Sequence, residues 1–239
     1  MSTYALITGA SHGIGKSIAE ALAKEGYNLI LTCASSIDIL VDYSSHLEES
    51  YHITCIAKQC DMKNIQEVQS LFQNVPTPEI VINNAGISYV GLLQNMTAEE
   101  WNDVIGTNLS SAFYTAKFAI PGMLTKHCGS IINISSVWGS TGASMEVAYS
   151  ASKGGLNTFT KALAKELAPS GIQVNALACG LIDTRMNAHL SQEDINTLID
   201  EIPAGRMGQA EEVATAVIAL LQMPSYVTGQ IINLDGGWT

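Results

Sequence analysis

The sequence predicts an α/β fold built on a doubly wound parallel sheet of about seven strands, with helices on both faces. Short apolar segments alternate with longer amphipathic segments along the chain, and glycine or polar residues follow several of the apolar segments. Strands that are apolar throughout are typical of parallel sheets covered by helices on each side. Regular alternation of strand and helix favours right-handed crossovers, which place the helices on both faces.

The elements follow one another without a linker, repeat or shift in composition, so one domain covering residues 1–239 is expected. The predicted strands are Tyr4–Thr8, Asn28–Thr32, Ile53–Lys58, Ile80–Asn83, Ser130–Ser135, Ile172–Ala178 and Gln230–Leu234. The predicted helices are Ile14–Glu25, Ile39–Ser50, Ile65–Phe72, Ala98–Ile120, Tyr149–Ala168, Thr197–Glu201 and Glu211–Leu221. Ligands of such sheets bind at the carboxyl ends of the strands, and the motifs below lie there or in the helix that follows.

Composition and charge restrict the classes of molecule that the protein is expected to bind. The formal net charge is −11, and an acidic chain repels nucleic acid and anionic membranes, so neither is expected to bind. No apolar stretch is long enough to span a bilayer, and the N-terminus does not resemble a signal peptide. The five cysteines are scattered and form no CxxC pair, which favours a reducing, cytoplasmic setting and no metal site.

A glycine-rich turn, Thr8–Gly15 (TGASHGIG), joins the first strand to the first helix. Gly9 permits a tight turn, Gly13 lets the backbone approach a pyrophosphate, and Gly15 allows close packing of helix on strand. The helix N-terminus offers free N–H groups to phosphate. A glycine-rich loop without a ligand is the alternative, but the position between strand and helix favours nucleotide binding.

Tyr149 and Lys153 lie four residues apart in a predicted helix and therefore share one face. An ammonium beside a phenol favours the phenolate, so we expect the pKa of Tyr149 to fall below about 10 and the phenol to exchange protons with a carbonyl or alcohol. Such pairs also occur by chance in helices. Ser136, at the end of a buried strand, adds a hydroxyl that can bond a carbonyl oxygen, whereas Ser135 is expected to be structural.

Three motifs together carry a family resemblance: the TGxxxGxG turn, the tetrapeptide Asn83–Gly86 (NNAG), and a serine 13 residues before YxxxK. They resemble the short-chain dehydrogenase/reductase family, and the chain is closest in character to the 3-oxoacyl-[acyl-carrier-protein] reductases. The resemblance implies a single-domain Rossmann fold and an NAD(P)H-dependent oxidoreductase that interconverts a ketone and a secondary alcohol. It also implies a catalytic tetrad of Asn108, Ser136, Tyr149 and Lys153, in which Asn108 distorts its helix and holds a water linked to the lysine.

The resemblance and the strand-end chemistry together predict the cofactor site. Its predicted residues are Gly9, Ser11, His12, Gly13, Ile14, Gly15, Ser35, Asp61, Met62, Asn84, Ala85, Gly86, Tyr149, Lys153, Ile182 and Thr184. Asp61 is either an acceptor for the adenine amino group or part of a helix N-cap, with Asn64 suited to the same role. The second strand ends without an acid before Asp38 and without a nearby Arg or Lys, so NADP is expected and NAD is possible.

The substrate is less well defined by the sequence. Cys179 stands where relatives usually have proline, and the acidic charge with few basic residues weakens the case for a carrier-protein partner. Either an acyl thioester or a free ketone or alcohol fits, and the expected walls are Val137, Trp138, Met145, Glu146 and Met186–Leu190, with 187–201 as a lid.

Other functions remain open. A hydroxysteroid or polyol dehydrogenase is the alternative within the enzyme class. A non-catalytic nucleotide-sensing protein is the alternative outside it, and such a protein would be expected to have lost tetrad members. The resemblance and small residues on two long helices suggest a homotetramer.

Overall fold

The computed structural model describes residues 3–188 and 190–239, and its seven strands form one fully parallel sheet. The strands are β1 Tyr4–Ile7, β2 Asn28–Cys33, β3 Cys55–Gln59, β4 Ile80–Asn83, β5 Gly129–Ser136, β6 Ile172–Cys179 and β7 Ile231–Leu234. Their order across the sheet is β3-β2-β1-β4-β5-β6-β7. The doubly wound parallel fold predicted from the sequence is confirmed.

Helices cover both faces of the sheet. They are α1 Gly13–Lys24, α2 Ile37–Tyr51, α3 Ile65–Gln73, α4 Ala98–Ile105, α5 Ser111–Lys126, α6 Trp138–Thr141, α7 Val147–Leu167, α8 Gln192–Glu201 and α9 Ala210–Leu221. In β1, Ala5 and Ile7 pack in the core layer that contains α1, α2 and α9, whereas Leu6 packs in the layer that contains α3, α5 and α7. This alternation explains why the strands are apolar throughout, since each face meets a helical layer.

Two helix predictions are wrong in detail. The predicted helix Ala98–Ile120 is divided by a π-helical turn at Gly106–Ser110, and α5 then continues past Pro121 to Lys126. A π turn is confined to a single turn of the helix, here five residues, so the periodicity of the longer segment does not reveal it. The predicted helix Thr197–Glu201 begins earlier, at Gln192, because Ser191 and Asp194 form a capping box there.

The order of the strands in the sheet determines where the ligand crevice lies. The chain passes outward from β1 through β2 and β3, then crosses back to β4 on the other side of β1. The carboxyl ends of β1 and β4 therefore border the switch point at which open α/β sheets bind ligands. Buried amides fix β4 against β5: Asn83 Nδ2 donates to Asn133 Oδ1 at 2.8 Å, and Asn133 Nδ2 donates to Thr160 Oγ1 of α7 at 2.8 Å.

Buried polar groups are well satisfied. Within residues 3–188 and 190–239, each buried side-chain nitrogen or oxygen has a hydrogen-bond partner. In the same part of the chain, none of the helices has the length and apolar character needed to cross a bilayer.

Candidate active site

A cavity of about 800 Å³ opens at the carboxyl edge of the sheet. Its walls come from the segments after β1, β4, β5 and β6, from α7 and α8, and from the C-terminal segment. The predicted site residues that line it are Gly9, His12, Gly13, Ile14, Asn84, Ala85, Gly86, Ser136, Tyr149, Lys153, Ile182 and Thr184. Most of the predicted cofactor and catalytic residues therefore converge on one cavity.

We call the part of the cavity formed by Gly9, His12–Ile14, Asn84–Gly86 and Thr184 the glycine-turn half. Gly9 and Gly13 have φ angles of 66° and 52°, which side chains rarely adopt. A Cβ on Gly13 would lie 3.3 Å from Thr184 Cγ2. A nucleotide phosphate needs this close approach to the backbone, so the turn fits the group that the sequence predicts.

The turn after β4 is fastened to the glycine turn. The Asn84 and Ala85 backbone N–H groups donate to Thr8 Oγ1 at 3.0 and 2.9 Å. The Asn84 side chain donates from Nδ2 to the carbonyl oxygens of Thr8 and Gly9 at 2.9 and 3.0 Å. These bonds hold the two turns at the switch point as one unit. The NNAG motif thus has a structural role in shaping the glycine-turn half.

The N-terminus of α1 faces the cavity through His12–Ile14. His12, the N-cap residue, makes no side-chain capping hydrogen bond with the first turn of α1. Partial burial and the charges of Arg185 and Lys16 lower the pKa of the His12 imidazole. Two cations therefore act at the turn, and a helix N-terminus with added positive charge favours an anionic group.

Six predicted residues lie outside the walls of this cavity: Ser11, Gly15, Ser35, Asp61, Met62 and Asn108. Gly15 packs beneath the turn, because a Cβ there would overlap the carbonyl oxygen of Gly9. Ser11 hydrogen-bonds to the His12 imidazole, with 3.0 Å between Oγ and Nδ1. Ser35 is exposed beyond the end of β2.

The structure decides one alternative at Asp61. The N-cap of α3 is Asn64, whose side chain accepts from the N–H groups of Gln66 and Glu67, so the N-cap interpretation of Asp61 is wrong. Asp61 Oδ1 instead accepts from the Lys63 N–H at 3.1 Å. Met62 is buried, and its Sδ atom accepts from Thr32 Oγ1 at 3.6 Å, so this side chain packs into the core.

Tyr149 and Lys153 lie on α7, with Lys153 Nζ 5.6 Å from the centre of the Tyr149 ring. Lys153 Nζ donates to the carbonyl oxygen of Ile134 at 2.8 Å, which holds the amine beside β5. Burial lowers the pKa of Lys153 to about 8. The shared helix face predicted from the YxxxK spacing is therefore present.

The predicted direction of the Tyr149 pKa shift is wrong. Burial, reinforced by the Glu146 carboxylate, raises the pKa of the phenol above its usual value, although a hydrogen bond with Ser136 opposes the shift. The neighbouring Lys153 amine does not lower the pKa of Tyr149, because the cost of removing the phenolate from water is larger than the stabilisation by this amine. The amine is itself bonded to the Ile134 carbonyl. A phenol with a raised pKa stays protonated at neutral pH, so it carries a proton that it can transfer to an acceptor, although the raised pKa makes it a weaker acid.

The two serines at the end of β5 have different partners. Ser136 hydrogen-bonds with Tyr149, and its Oγ accepts from the Trp138 N–H at 3.2 Å. Ser135 Oγ is buried and donates to Asn157 Oδ1 of α7 at 2.6 Å. Ser136 faces the Tyr149 phenol, whereas Ser135 fastens β5 to α7.

Asn108 lies in the π turn and is buried behind the cavity. Its Oδ1 accepts from the Ile87 N–H at 2.8 Å, and its Nδ2 donates to the Ile87 carbonyl at 2.9 Å and to Ser152 Oγ at 3.0 Å. Ser152 Oγ in turn donates to the Tyr149 carbonyl at 2.7 Å. Asn108 thus connects the segment after β4 to α7 through Ser152, a residue that no sequence motif indicated.

We call the part of the cavity lined by Trp138, Glu146, Leu198, Glu201 and Trp238 the tryptophan half. The ring centres of Trp138 and Trp238 lie 4.8 Å apart at an interplanar angle of 62°. Trp138 and Glu146 were predicted as walls. Leu198 and Glu201 lie in the segment 187–201 that the sequence predicts as a lid, and both line the cavity. Trp238 was missed, because no local motif links the C-terminal segment to the cavity.

Of the other residues predicted as cavity walls, some line the cavity and one does not. Val137, Met186, Asn187 and Leu190 line the cavity, whereas Met145 is 45% exposed and lies outside it. His189, within the predicted segment Met186–Leu190, falls outside the described residues.

Cys179 lines the cavity at the end of β6 and is 5% exposed. Burial raises the pKa of its thiol to about 12, so it remains protonated and unreactive. In the described part of the chain, His, Cys, Asp and Glu side chains form no group of three able to hold a metal ion.

Comparison with known proteins identifies the family. The short chain dehydrogenase family model matches residues 3–195. The chain is 38% identical over 240 residues to an uncharacterized oxidoreductase of Bacillus subtilis, covering 100% of this chain and 99% of that protein. It is 39% identical to the 3-oxoacyl-[acyl-carrier-protein] reductase of Escherichia coli, covering 98% of this chain and 96% of that protein.

Solved structures agree with the sequence comparisons. A 3-oxoacyl-[acyl-carrier protein] reductase from Brucella melitensis superposes with a TM-score of 0.93 at 32% identity, covering 99% of this chain and 91% of that one. A putative gluconate dehydrogenase from Agrobacterium tumefaciens also gives a TM-score of 0.93, at 30% identity, covering 99% and 95%. The chain belongs to the short-chain dehydrogenase family and is an oxidoreductase that acts on CH–OH or C=O groups with a nicotinamide cofactor.

Proposed function

We propose that this protein is an NADPH-dependent ketone reductase that converts a 3-oxoacyl group to a 3-hydroxyacyl group. The observation that carries the proposal is the meeting of Tyr149, Lys153 and Ser136 in the same cavity as the glycine turn. The similarity to 3-oxoacyl-[acyl-carrier-protein] reductases over nearly the whole chain supports the choice of substrate. One domain, residues 1–239, carries both the cofactor site and the substrate site.

The glycine-turn half holds the cofactor in this proposal. The turn and the α1 N-terminus bind the pyrophosphate, Asn84–Gly86 and Ile182 border the ribose and nicotinamide, and Thr184 closes the side of Gly13. When bound, the nicotinamide supplies the hydride that reduces the carbonyl carbon. Lys153 is placed to bond the ribose hydroxyls with the N–H groups that Ile134 does not occupy.

Side chains of the protein donate the proton and stabilise the charge that remains. Tyr149 donates its phenolic proton to the carbonyl oxygen, so the tyrosine O–H bond breaks as the O–H bond of the alcohol forms. Ser136 bonds the same oxygen and orients the carbonyl, and the Lys153 charge stabilises the phenolate that remains. Asn108 is a positioning residue that acts through Ile87 and Ser152.

NADP is favoured over NAD by charge. No acid follows β2 before Asp38, and Asp38 lies in the first turn of α2. Arg185 and Lys16 act on His12 at the glycine turn and add positive potential on the cofactor side. Ser35, exposed at the end of β2, leaves space and a hydroxyl for a 2′-phosphate.

We also propose a cytoplasmic homotetramer. Phe113 on α5 and Val147 on α7 are 48% and 41% exposed, and large apolar side chains of this kind are covered by other subunits in many oligomers. The free thiols of Cys33, Cys55, Cys60, Cys128 and Cys179 suit a reducing compartment.

The test is reduction of an acetoacetyl thioester, followed by the loss of NADPH absorbance. The wild type is expected to consume NADPH, and Tyr149→Phe should lower kcat by about a thousandfold while NADPH still binds, because the proton donor alone is removed. Tyr226→Phe is the matched control, since Tyr226 is 98% exposed, and it should retain activity. Equal activity in Tyr149→Phe and Tyr226→Phe would refute the proposed role of Tyr149.

A further inference from the structure

The aromatic wall of the tryptophan half is fixed by the C-terminal segment. Asp235 accepts from the Gly237 N–H at 2.9 Å, from the Thr239 N–H at 3.1 Å and from Thr239 Oγ1 at 2.9 Å. These bonds close a turn around Trp238. The Gly236 carbonyl accepts from the Ala204 N–H at 3.0 Å, which attaches the turn to the segment after α8.

The aromatic wall carries a carboxylate at its rim. Trp238 Nε1 donates to Glu201 Oε2 at 3.3 Å, so the indole and the acid face the cavity together. Leu198 lies one turn earlier on α8 and lines the same cavity. This surface combines a flat apolar body with a negative charge.

A second carboxylate lies close to the reacting phenol. Glu146 is the N-cap residue of α7, three positions before Tyr149, and its charge helps to raise the pKa of that phenol. Its Oε2 accepts from Ser88 Oγ at 2.9 Å, which holds the acid against the segment after β4. A substrate carbonyl bonded to Tyr149 would therefore lie within the field of Glu146.

The cationic side chains that line the cavity lie outside the tryptophan half. Among the described lining residues, Arg185 acts on His12 in the glycine-turn half, and Lys153 is bonded to Ile134 beneath Tyr149. Glu146 and Glu201 are thus the charged side chains of the tryptophan half, in a chain whose formal net charge is −11. Charges in a recessed cavity are screened less than charges on an open surface.

We propose that the tryptophan half admits carbonyl compounds without negative charge, whether neutral or cationic, and that Glu146 and Glu201 exclude free carboxylates. The Trp138–Trp238 wall binds the apolar or cationic body of the substrate, since indole faces attract both. This inference rests on the proposed ketone reduction and names the substrate class of the same site. A 3-oxoacyl thioester meets the condition at its reacting end, whereas the free 3-oxo acid does not.

The test compares three compounds with the same reacting ketone: acetoacetate, its ethyl ester and its 2-(dimethylamino)ethyl amide. In the wild type, kcat/KM should be at least about tenfold higher for the ester than for acetoacetate, and at least as high for the cationic amide as for the ester. In Glu146→Gln/Glu201→Gln, the ratio of ester to acetoacetate should fall about tenfold, because glutamine keeps the acceptor oxygens for Ser88 and Trp238 but removes both charges. Glu193→Gln removes one charge from α8 outside the cavity and should leave the ratio unchanged.

A binding measurement separates this inference from the proposed function. Calorimetric titration of the three compounds into Tyr149→Phe saturated with NADPH reports charge selection without turnover. If the wild type reduces none of them but the titration follows the order amide, ester, acetoacetate, the proposed function fails and the charge selection stands. Equal affinity for ester and acetoacetate, or no binding of any compound, overturns the inference.

Discussion

The glycine-turn half and the tryptophan half of the cavity differ in the atoms that form their walls. The first is made largely of backbone, in which Gly9 and Gly13 adopt positive φ and Asn84 bonds the carbonyls of Thr8 and Gly9. The second is made of side chains from distant parts of the chain, such as Trp138 and Trp238. Backbone walls suit a ligand that is always the same, whereas side-chain walls change by substitution and set the substrate.

Gly15→Ala should break the glycine-turn half and gives the largest expected effect. The added Cβ would overlap the Gly9 carbonyl oxygen, which is backbone, and lie 2.5 Å from Asn84 Nδ2, which is held by its hydrogen bonds to the carbonyls of Thr8 and Gly9. We expect the free energy of unfolding to fall by about 3 kcal/mol. NADPH affinity should fall by a factor on the order of 100, because the turn must shift to relieve the overlap. Chemical denaturation and fluorescence titration measure the two quantities.

Gly26→Ala is the control for backbone strain without crowding. Gly26 has a φ of 82°, yet nothing lies within 4 Å of its Cβ position, and it is remote from the cavity in the turn between α1 and β2. It should cost about 1 kcal/mol and leave NADPH affinity unchanged. Wild-type affinity in both variants would show that the glycine-turn half is not a rigid backbone surface.

Lys153 lines the same cavity, and its burial predicts a pH-dependent stability. Its pKa in the folded protein is about 8, against 10.5 for the free side chain. Between these values the unfolded chain binds more protons, so the free energy of unfolding must rise with pH. Relative to Lys153→Met, the wild type should gain about 3 kcal/mol as the pH rises from below 8 to 10.5. A difference that stays constant over this range would contradict the burial of a charged amine.

Local patterns predicted the strands, the glycine turn and the shared helix face of Tyr149 and Lys153, because apolar runs, turn chemistry and helix spacing act over a few neighbouring residues. The π turn at Gly106–Ser110 was not predictable in this way. It covers only five residues of a longer helical segment, and it coincides with the bonding of Asn108 to Ile87, which lies 21 residues away in the chain. The pKa of Tyr149 was predicted in the wrong direction for the same reason, since burial is a property of the folded core.

The tryptophan half was the least predictable region. Trp138 follows the serine strand and was predicted correctly as a wall, and Glu201 lies at the end of the predicted lid 187–201. Trp238 reaches the cavity only through the fold of the C-terminal segment. A signal for Trp238 exists in Asp235–Gly237, where an acid followed by two glycines suits a tight turn. That signal predicts a turn, and only the order of β6 and β7 in the sheet shows where the turn lies.

Ser35→Asp should have the smallest effect of these substitutions, because it changes one side chain beside a surface that is otherwise formed by backbone. It tests whether a side chain outside the glycine-turn half sets the coenzyme preference. Ser35 is exposed after β2, where an acid would accept from the ribose hydroxyls of NADH and repel the 2′-phosphate of NADPH. The ratio of kcat/KM for NADPH to that for NADH should fall about tenfold, through the KM for NADPH. Ser45→Asp adds the same charge to an exposed position of α2 and should leave the ratio unchanged. If Ser35→Asp leaves it unchanged as well, the preference is set by His12 and Arg185 at the glycine turn, and the coenzyme choice is made within the glycine-turn half itself.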